Sequence, residues 1–317
     1  MDMGMLSRRR LLIGAAAAGV AQLVRRTAAA AFDMPSGACD CHVHIFGDPR
    51  RFPFVPTRVY TPGPASIEEL RALHRALHIA RVVIVQPSVY GTDNACTLDA
   101  MRQIGPGARG VAVIDDATPD AALDGMSRAG VRGVRVNLTT GGPADPVVAR
   151  QRLKAALERA KGRNWHVQIN TGIAFIERIQ DDVMKAPVPV VFDHFGGAQA
   201  APGISQAGFG ALLKLVRAGN AYVKLSAPYR SSTQALPYTD VGPLATALID
   251  ANPQRMLWGT DWPHPDSSPA IGRTPTDLAP RLQIDDGRVL DQLAVWAPGA
   301  VQRRMILVEN PARLYGF

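Results

Sequence analysis

CDCHVHIFG, residues 39–47, is an apolar stretch carrying two histidines one residue apart. In an extended strand residues i and i+2 share a face, so Asp40, His42 and His44 are expected to point one way and Cys39, Cys41 and Val43 the other. A single inward histidine is commonly a hydrogen-bonded core residue. Two histidines and an aspartate on one buried face need more partners than a core supplies, and that points to ligand or catalytic chemistry.

Outward from this stretch, a short β-branched run, a turn and an amphipathic segment recur. ACDCHVHIF is followed by ARVVIVQ, ARGVAVI, VRGVRVN, WHVQIN, VPVVFDH, AYVKLS and RMLWGTD, which makes eight strand candidates. Their ends at His44, Gln86, Ile114, Asn137, Asn170, His194, Ser226 and Asp261 recur roughly every 31 residues. Ser66 and Glu69 have the spacing of a capping box at the head of the first helix. With no low-complexity linker between them, these alternations predict one α/β domain, a closed (β/α)8 TIM barrel, over an open doubly wound sheet. The connections Gly47 to Ala65 and His264 to about Asp286 are long and follow strand ends, so they are expected at the functional mouth. The tail from Val301 to Phe317 reads as a terminal helix and a segment packed below the barrel.

The N-terminus has a different character. Ser7-Arg8-Arg9-Arg10-Leu11-Leu12, an apolar run to Val24 and small residues from Ala28 to Ala31 have the layout of a twin-arginine export signal. The apolar run is too short to span a bilayer. The expected organisation is therefore a signal over residues 1–31, removed near Ala31 after passage through the twin-arginine machinery, and a periplasmic domain over 32–317. Removing the signal takes away five arginines and Asp2, and the formal charge falls from +8 to +4. A mature chain this mildly basic, without lysine-rich or interleaved aromatic runs, gives no case for nucleic acid and leaves room for small anionic partners. Three cysteines make no disulfide framework, and Cys39 and Cys41 read as small apolar packing residues. A homo-oligomer is compatible with the sequence, and no stripe decides it.

In a barrel of this kind, polar residues at strand C-termini face the mouth. Here they are His42 and His44, Gln86 and Ser88, Arg135 and Asn137, His166 and Asn170, Asp193 and His194, Lys224 and Ser226, and Asp261 with His264. His166 lies early in its strand, where a neutral core role and a supporting role read equally well. His74 and His78 fall four apart on the first helix with no accompanying carboxylate, which suits a solvated face. The ordered set His42-x-His44, His194 and Trp258-Gly259-Thr260-Asp261-Trp262-Pro263-His264 resembles the amidohydrolase superfamily, specifically its amidohydrolase-2 branch, from about Ala38 to the C-terminus. Phe52-Pro53-Phe54, Gln86-Pro87-Ser88, Arg132-Gly133-Val134-Arg135-Val136-Asn137 and Lys224-Leu225-Ser226 are similar to its group of 2-pyrone-4,6-dicarboxylate lactonases and 4-sulfomuconolactone hydrolases.

That resemblance implies a hydrolase opening a carboxylated lactone of pyrone dicarboxylate, muconolactone or sugar-acid type. Asp261 would be the base that activates water, with His42, His44 and His194 around the carbonyl oxygen. Arg135, Arg230, Tyr60 and Ser88 match positions that hold substrate carboxylates, and Asn170 and His264 complete the substrate-facing set; an arginine fork suits a carboxylate. One divalent ion, Zn²⁺ or Mn²⁺, on His42, His44 and Asp261, with His194 as a further ligand, is as compatible with these residues as metal-independent chemistry. Strand four offers Arg135 and Asn137, neither of which bridges cations, and this argues against a binuclear site. Thr139-Thr140-Gly141-Gly142 and Gly196-Gly197 stand where the dicarboxylate lactonase carries further arginines, which implies a less anionic substrate. The rival readings are a metal-dependent decarboxylase, a lactone isomerase and, outside catalysis, a periplasmic solute-binding protein; the last predicts two hinged domains, against the uninterrupted eightfold period.

Overall fold

A computed structural model of the chain describes residues 31–140, 145–268 and 271–317. The expected export signal lies outside the described residues except for Ala31, as do Gly141 and Gly142. Eight strands alternate with eight main helices: β1 (Cys39–Val43), α1 (Ile67–Ala76), β2 (Arg81–Val85), α2 (Ala95–Ile104), β3 (Ala108–Ala112), α3 (Asp120–Arg128), β4 (Val131–Asn137), α4 (Pro146–Ala160), β5 (His166–Asn170), α5 (Ile176–Met184), β6 (Val190–Phe192), α6 (Phe209–Arg217), β7 (Ala221–Ser226), α7 (Gly242–Ala251), β8 (Met256–Gly259) and α8 (Asp286–Trp296). The strands pair in parallel in chain order. The seam between first and last closes just beyond β8, where Asp261 N–H donates to the His42 carbonyl at 2.9 Å and His44 N–H to the Trp262 carbonyl at 2.8 Å. The (β/α)8 barrel is therefore the fold, and each of the eight strand candidates contains one of its strands.

Alternation along β2 shows how the core divides. Val82 and Ile84 face the helices, whereas Val83 and Val85 join Cys39, Cys41, Val111, Val191, Tyr222 and Leu257 inside the barrel. Tyr315 from the tail closes this inner set, held by Arg109, whose Nε and Nη2 donate to the carbonyls of Tyr315 and Gly316 at 3.1 and 2.6 Å. The capping box forms as expected: Glu69 N–H donates to Ser66 Oγ at 3.1 Å and Ser66 N–H to the Glu69 carboxylate at 2.8 Å. Such a cap stabilises a helix by about 1 kcal/mol. The two long connections meet, Thr61–Pro62 pairing in parallel with Leu278–Ala279.

The alternation expected along β1 is broken. Asp40 pairs with Val82 and Val43 with Ile84, so β1 spends one more residue than its neighbour, the signature of a bulge. Cys39 and Cys41 face the barrel interior, and the extra residue lets His42 and His44 face it as well. Asp40 points outward instead. Its Oδ1 accepts from the N–H groups of His42 and Thr260 at 3.1 and 3.0 Å, and its Oδ2 from Thr260 Oγ1 at 2.6 Å. His74 approaches the same oxygen at 3.3 Å. His74 is thus packed on β1, not solvated, and does not act with the exposed His78.

Candidate active site

Three imidazoles meet one carboxylate at the C-terminal mouth. Asp261 Oδ1 lies 3.5 Å from His42 Nε2 and 3.7 Å from both His44 Nε2 and His194 Nε2. The carboxylate and one of these histidines sit on unusual backbone. Asp261 has φ 66°, His194 φ 48° and Phe195 φ 55°, the left-handed region that costs a non-glycine residue on the order of 1–2 kcal/mol. β6 ends at Phe192, so Asp193 and His194 enter a tight 3-10 turn that throws His194 over the mouth.

A second layer orients this group. His44 Nδ1 donates to the Val85 carbonyl at 2.7 Å, and His194 Nδ1 pairs with Ser226 Oγ at 2.9 Å. Beneath His42 lies a dry polar cluster in which Lys224 Nζ donates to Gln168 Oε1 at 2.7 Å and approaches His42 Nδ1 at 3.3 Å. Gln168 Nε2 and both Nε and Nη2 of Arg135 converge on Asp193 Oδ2 at 3.1 to 3.2 Å. On the other side, Asp261 Oδ2 accepts from the Tyr229 hydroxyl at 2.6 Å and from Arg230 Nε at 2.9 Å. His264 stands behind Tyr229, 3.2 Å from its hydroxyl, with its Nε2 on the Asp286 carboxylate at 3.1 Å.

Burial governs the protonation states. It pulls His42 well below the ordinary histidine range and brings His44 and His194 down to about 4, Asp261 opposing it for the latter two. The three rings are neutral at pH 7. Burial alone would raise Asp261, but Arg230 foremost, followed by the three histidines, holds it well below the carboxylate range. Burial and then the Asp261 carboxylate push the Tyr229 phenol well up, so it remains a donor.

His44, His194 and Asp261 form the floor of a cavity of about 440 Å³ whose walls include Tyr60, Ser88, Arg135, Asn170 and Arg230. Of the ten residues the sequence reading assigned to catalysis or substrate, eight line this cavity; of the other strand-end polar residues, Gln86 and Asn137 line the neighbouring cavity, and Asp193, Lys224 and Ser226 are buried. His42 is fully buried beneath the floor, and His264 is enclosed behind Tyr229, away from the wall it was expected to line. The remainder of the wall is uncharged and includes Thr139, Thr140, Gly197 and Gln199. Gly197 has φ 76°, and a Cβ there would stand 2.1 Å from the Thr171 carbonyl oxygen, so no side chain fits at that position. A neighbouring cavity of about 520 Å³ shares Ser88 and Arg135 but contains none of the histidines. His166 proves to be a core residue under Gly133, its ring 5.2 Å from Tyr315. Gln168 escaped the sequence reading; the alternation His166, Gln168, Asn170 along β5 was the available signal.

The donor set fits one divalent cation. Among the described residues, His42, His44 and Asp261 each offer a ligand atom within 4.8 Å of the others. Their separations of 3.3 to 3.7 Å match the ~3.4 Å edge of a tetrahedron of ligands about 2.1 Å from a metal. Asp261 Oδ1 is fully buried and, among the described residues, has no hydrogen-bond partner, the condition a cation would relieve.

A barrel with this constellation at its mouth is the architecture of metal- and water-activating hydrolases. The amidohydrolase family model matches residues 39–317, and the chain belongs to that family. It is 37% identical over 293 residues to the 2-pyrone-4,6-dicarboxylate hydrolase of Comamonas testosteroni, covering 90% of this chain and 92% of that one. To the 4-sulfomuconolactone hydrolase of Rhizobium radiobacter it is 34% identical over 293 residues, covering 92% and 94%. A Pseudomonas putida crystal structure, named provisionally as a 2-pyrone-4,6-dicarboxylic acid hydrolase, superposes with a TM-score of 0.73 at 30% identity, covering 89% of this chain and 98% of that one.

Proposed function

We propose that this amidohydrolase opens a carboxylated lactone by adding water across the ring ester. The observation that carries the reading is Asp261 Oδ1, buried, unpaired and ringed by three neutral histidines on the floor of a cavity whose wall carries two arginines. A water against Oδ1 gives up a proton to it while the oxygen attacks the ring carbonyl. The resulting oxyanion lies among His42, His44 and His194, which sit on the buried floor of the site. The ring C–O bond then breaks, the leaving oxygen takes the proton back, and the new carboxylic acid ionises, so each turnover releases one proton at neutral pH.

Arg135 and Arg230 both line the cavity, and a guanidinium there can hold a substrate carboxylate. Elsewhere in the lining Thr139, Thr140, Asn170 and Gln199 supply hydroxyls and amides. That division suits a lactone bearing one carboxylate and several hydroxyl or keto groups, such as a sugar-acid lactone, better than a dicarboxylate. Where a single Zn²⁺ or Mn²⁺ is held, His42, His44 and Asp261 would hold it with His194 beside them, and it would polarise the carbonyl. The arginines, apolar run and Ala-rich tail of residues 1–31 support export through the twin-arginine machinery to the periplasm. Fractionation of the full chain against Arg8→Lys, Arg9→Lys and Arg10→Lys combined tests that step.

The catalytic test is a panel of carboxylated lactones followed with a pH indicator, with and without a strong chelator. Wild type should release protons from at least one member, and Asp261→Asn should lose the rate by several orders of magnitude while keeping its fold. Release of CO₂, or conversion to an isomeric lactone without a proton, would replace this reading with decarboxylation or isomerisation.

A further inference from the structure

Buried hydrogen bonds assign the protons on the two β1 histidines. A backbone carbonyl only accepts, so the 2.7 Å contact to Val85 makes His44 Nδ1 the donor and leaves His44 Nε2 bare. His42 Nε2 lies 3.3 Å from that bare nitrogen, so it must carry the proton and donate. His42 Nδ1 is then the acceptor, and Lys224 Nζ meets it at 3.3 Å. The result is one directional chain in which every member is satisfied: Lys224 to His42, His42 to His44, His44 to the β2 backbone.

The alternative arrangement is also present, half made. Asp193 Oδ1 is fully buried, stands 3.3 Å from His42 Nδ1 and 3.6 Å from Lys224 Nζ, and among the described residues accepts no hydrogen bond. If His42 moved its proton to Nδ1, that oxygen would receive it, and His42 Nε2 would become a lone pair facing Asp261. Only that second tautomer can ligate a cation through Nε2. Lys224 and Asp193 compete for the same ring nitrogen and favour opposite tautomers.

We infer that Lys224 is a positioning residue that holds His42 as a hydrogen-bond donor and thereby weakens the site for a divalent cation, whereas Asp193 favours the metal-ligating tautomer. The consequence for lactone opening rests on the function proposed above. The hydrogen-bond assignment itself does not, so it is tested without turnover.

Two readouts suffice, both on the full-length folded protein. Histidine ¹⁵N correlation spectra of metal-stripped wild type should show His42 with the proton on Nε2 and a bare Nδ1. Zn²⁺ titrated against a chromophoric chelator should bind Lys224→Met 10- to 100-fold more tightly than wild type, and Asp193→Asn more weakly by a similar factor, the range typical of partners that orient metal ligands. A wild-type spectrum with the proton on Nδ1, or Lys224→Met binding Zn²⁺ no better than wild type, would overturn the inference. Should either variant fail to fold, the wild-type spectrum still decides it. An inactive lactone panel alongside the expected spectrum and affinities would reject the proposed reaction and leave this assignment standing.

Discussion

Replacing His166 with phenylalanine should leave a protein markedly more tolerant of acid than the parent. His166 is buried inside the barrel beneath Gly133 and against Tyr315, and among the described residues no hydrogen-bond partner meets either ring nitrogen. Burial, reinforced by the charge of Lys224, lowers it to about 3, whereas in the unfolded chain it titrates near 6.5. Its folded value lies below its unfolded one, so between those limits the unfolded state binds a proton that the folded state refuses. Stability is therefore lost as pH falls from about 6.5 toward about 3. At about 1.4 kcal/mol per pH unit, the loss between pH 7 and pH 4.5 is roughly 2 to 3 kcal/mol from this residue alone. His166→Phe removes it, and any packing error of the larger ring is a constant offset at every pH. The other buried histidines are shared by both proteins and cancel in the difference. Urea denaturation at pH 7.0, 5.5 and 4.5 should thus show the variant gaining on wild type by that amount as the solution is acidified. A stability difference that does not change with pH would refute the argument, because it would mean that His166 can be protonated without leaving the fold.

Three further substitutions address the support of the site and of the barrel. Arg230→Met removes the cation on Asp261 and one arm for the substrate, and should lower kcat/KM about 10- to 100-fold for a carboxylated lactone and far less for an uncharged one, measured on matched pairs. Gly133→Ala places a Cβ 2.4 to 2.7 Å from the buried His166 ring and should cost about 1–3 kcal/mol in denaturant unfolding; pairing it with His166→Ala should recover most of the loss. Asp40→Ala unpairs the N–H of His42 and the N–H and hydroxyl of Thr260 at the barrel seam, and should lower stability by about 3 kcal/mol, with the melting temperature falling even when the cavity is filled by a competitive carboxylate.

Much of the architecture was legible because parallel barrel strands are buried on both faces and read as β-branched runs. ARVVIVQ and AYVKLS announce themselves in this way, and the turns between them set the period. Alternation also placed His44, His194 and Asp261 at the mouth, since a strand end fixes height in the barrel. It failed on β1, where one extra residue reverses the face of everything before it, and no residue type marks that slip. Asp40 was therefore grouped with the histidines although it seals the seam outside the barrel. His74 was assigned to solvent because helical spacing is silent about what a neighbouring strand presents. His264 was placed in the cavity because chain proximity to Asp261 says nothing of Tyr229 and Asp286, the groups its ring meets instead. Lys224 and Gln168 belong to different strands and acquire a role only through their contacts with each other and with Asp193.

The charges that meet at the cavity floor constrain the substrate as strongly as its shape does. Lys224, Arg135 and Arg230 contribute three positive charges, Asp193 and Asp261 two negative ones, and the histidines none. The balance is a single positive charge in surroundings dry enough that an unmatched ion is costly. One carboxylate neutralises it, and a second would leave a buried negative charge without a partner. A divalent cation would invert the problem by raising the excess to three, which is repelled by the same Lys224 that holds His42 Nε2 in its protonated form. The lysine thus opposes a metal twice, through the tautomer it imposes and through its own charge. Both effects would appear together as tighter Zn²⁺ binding by Lys224→Met than by wild type in the titration described above.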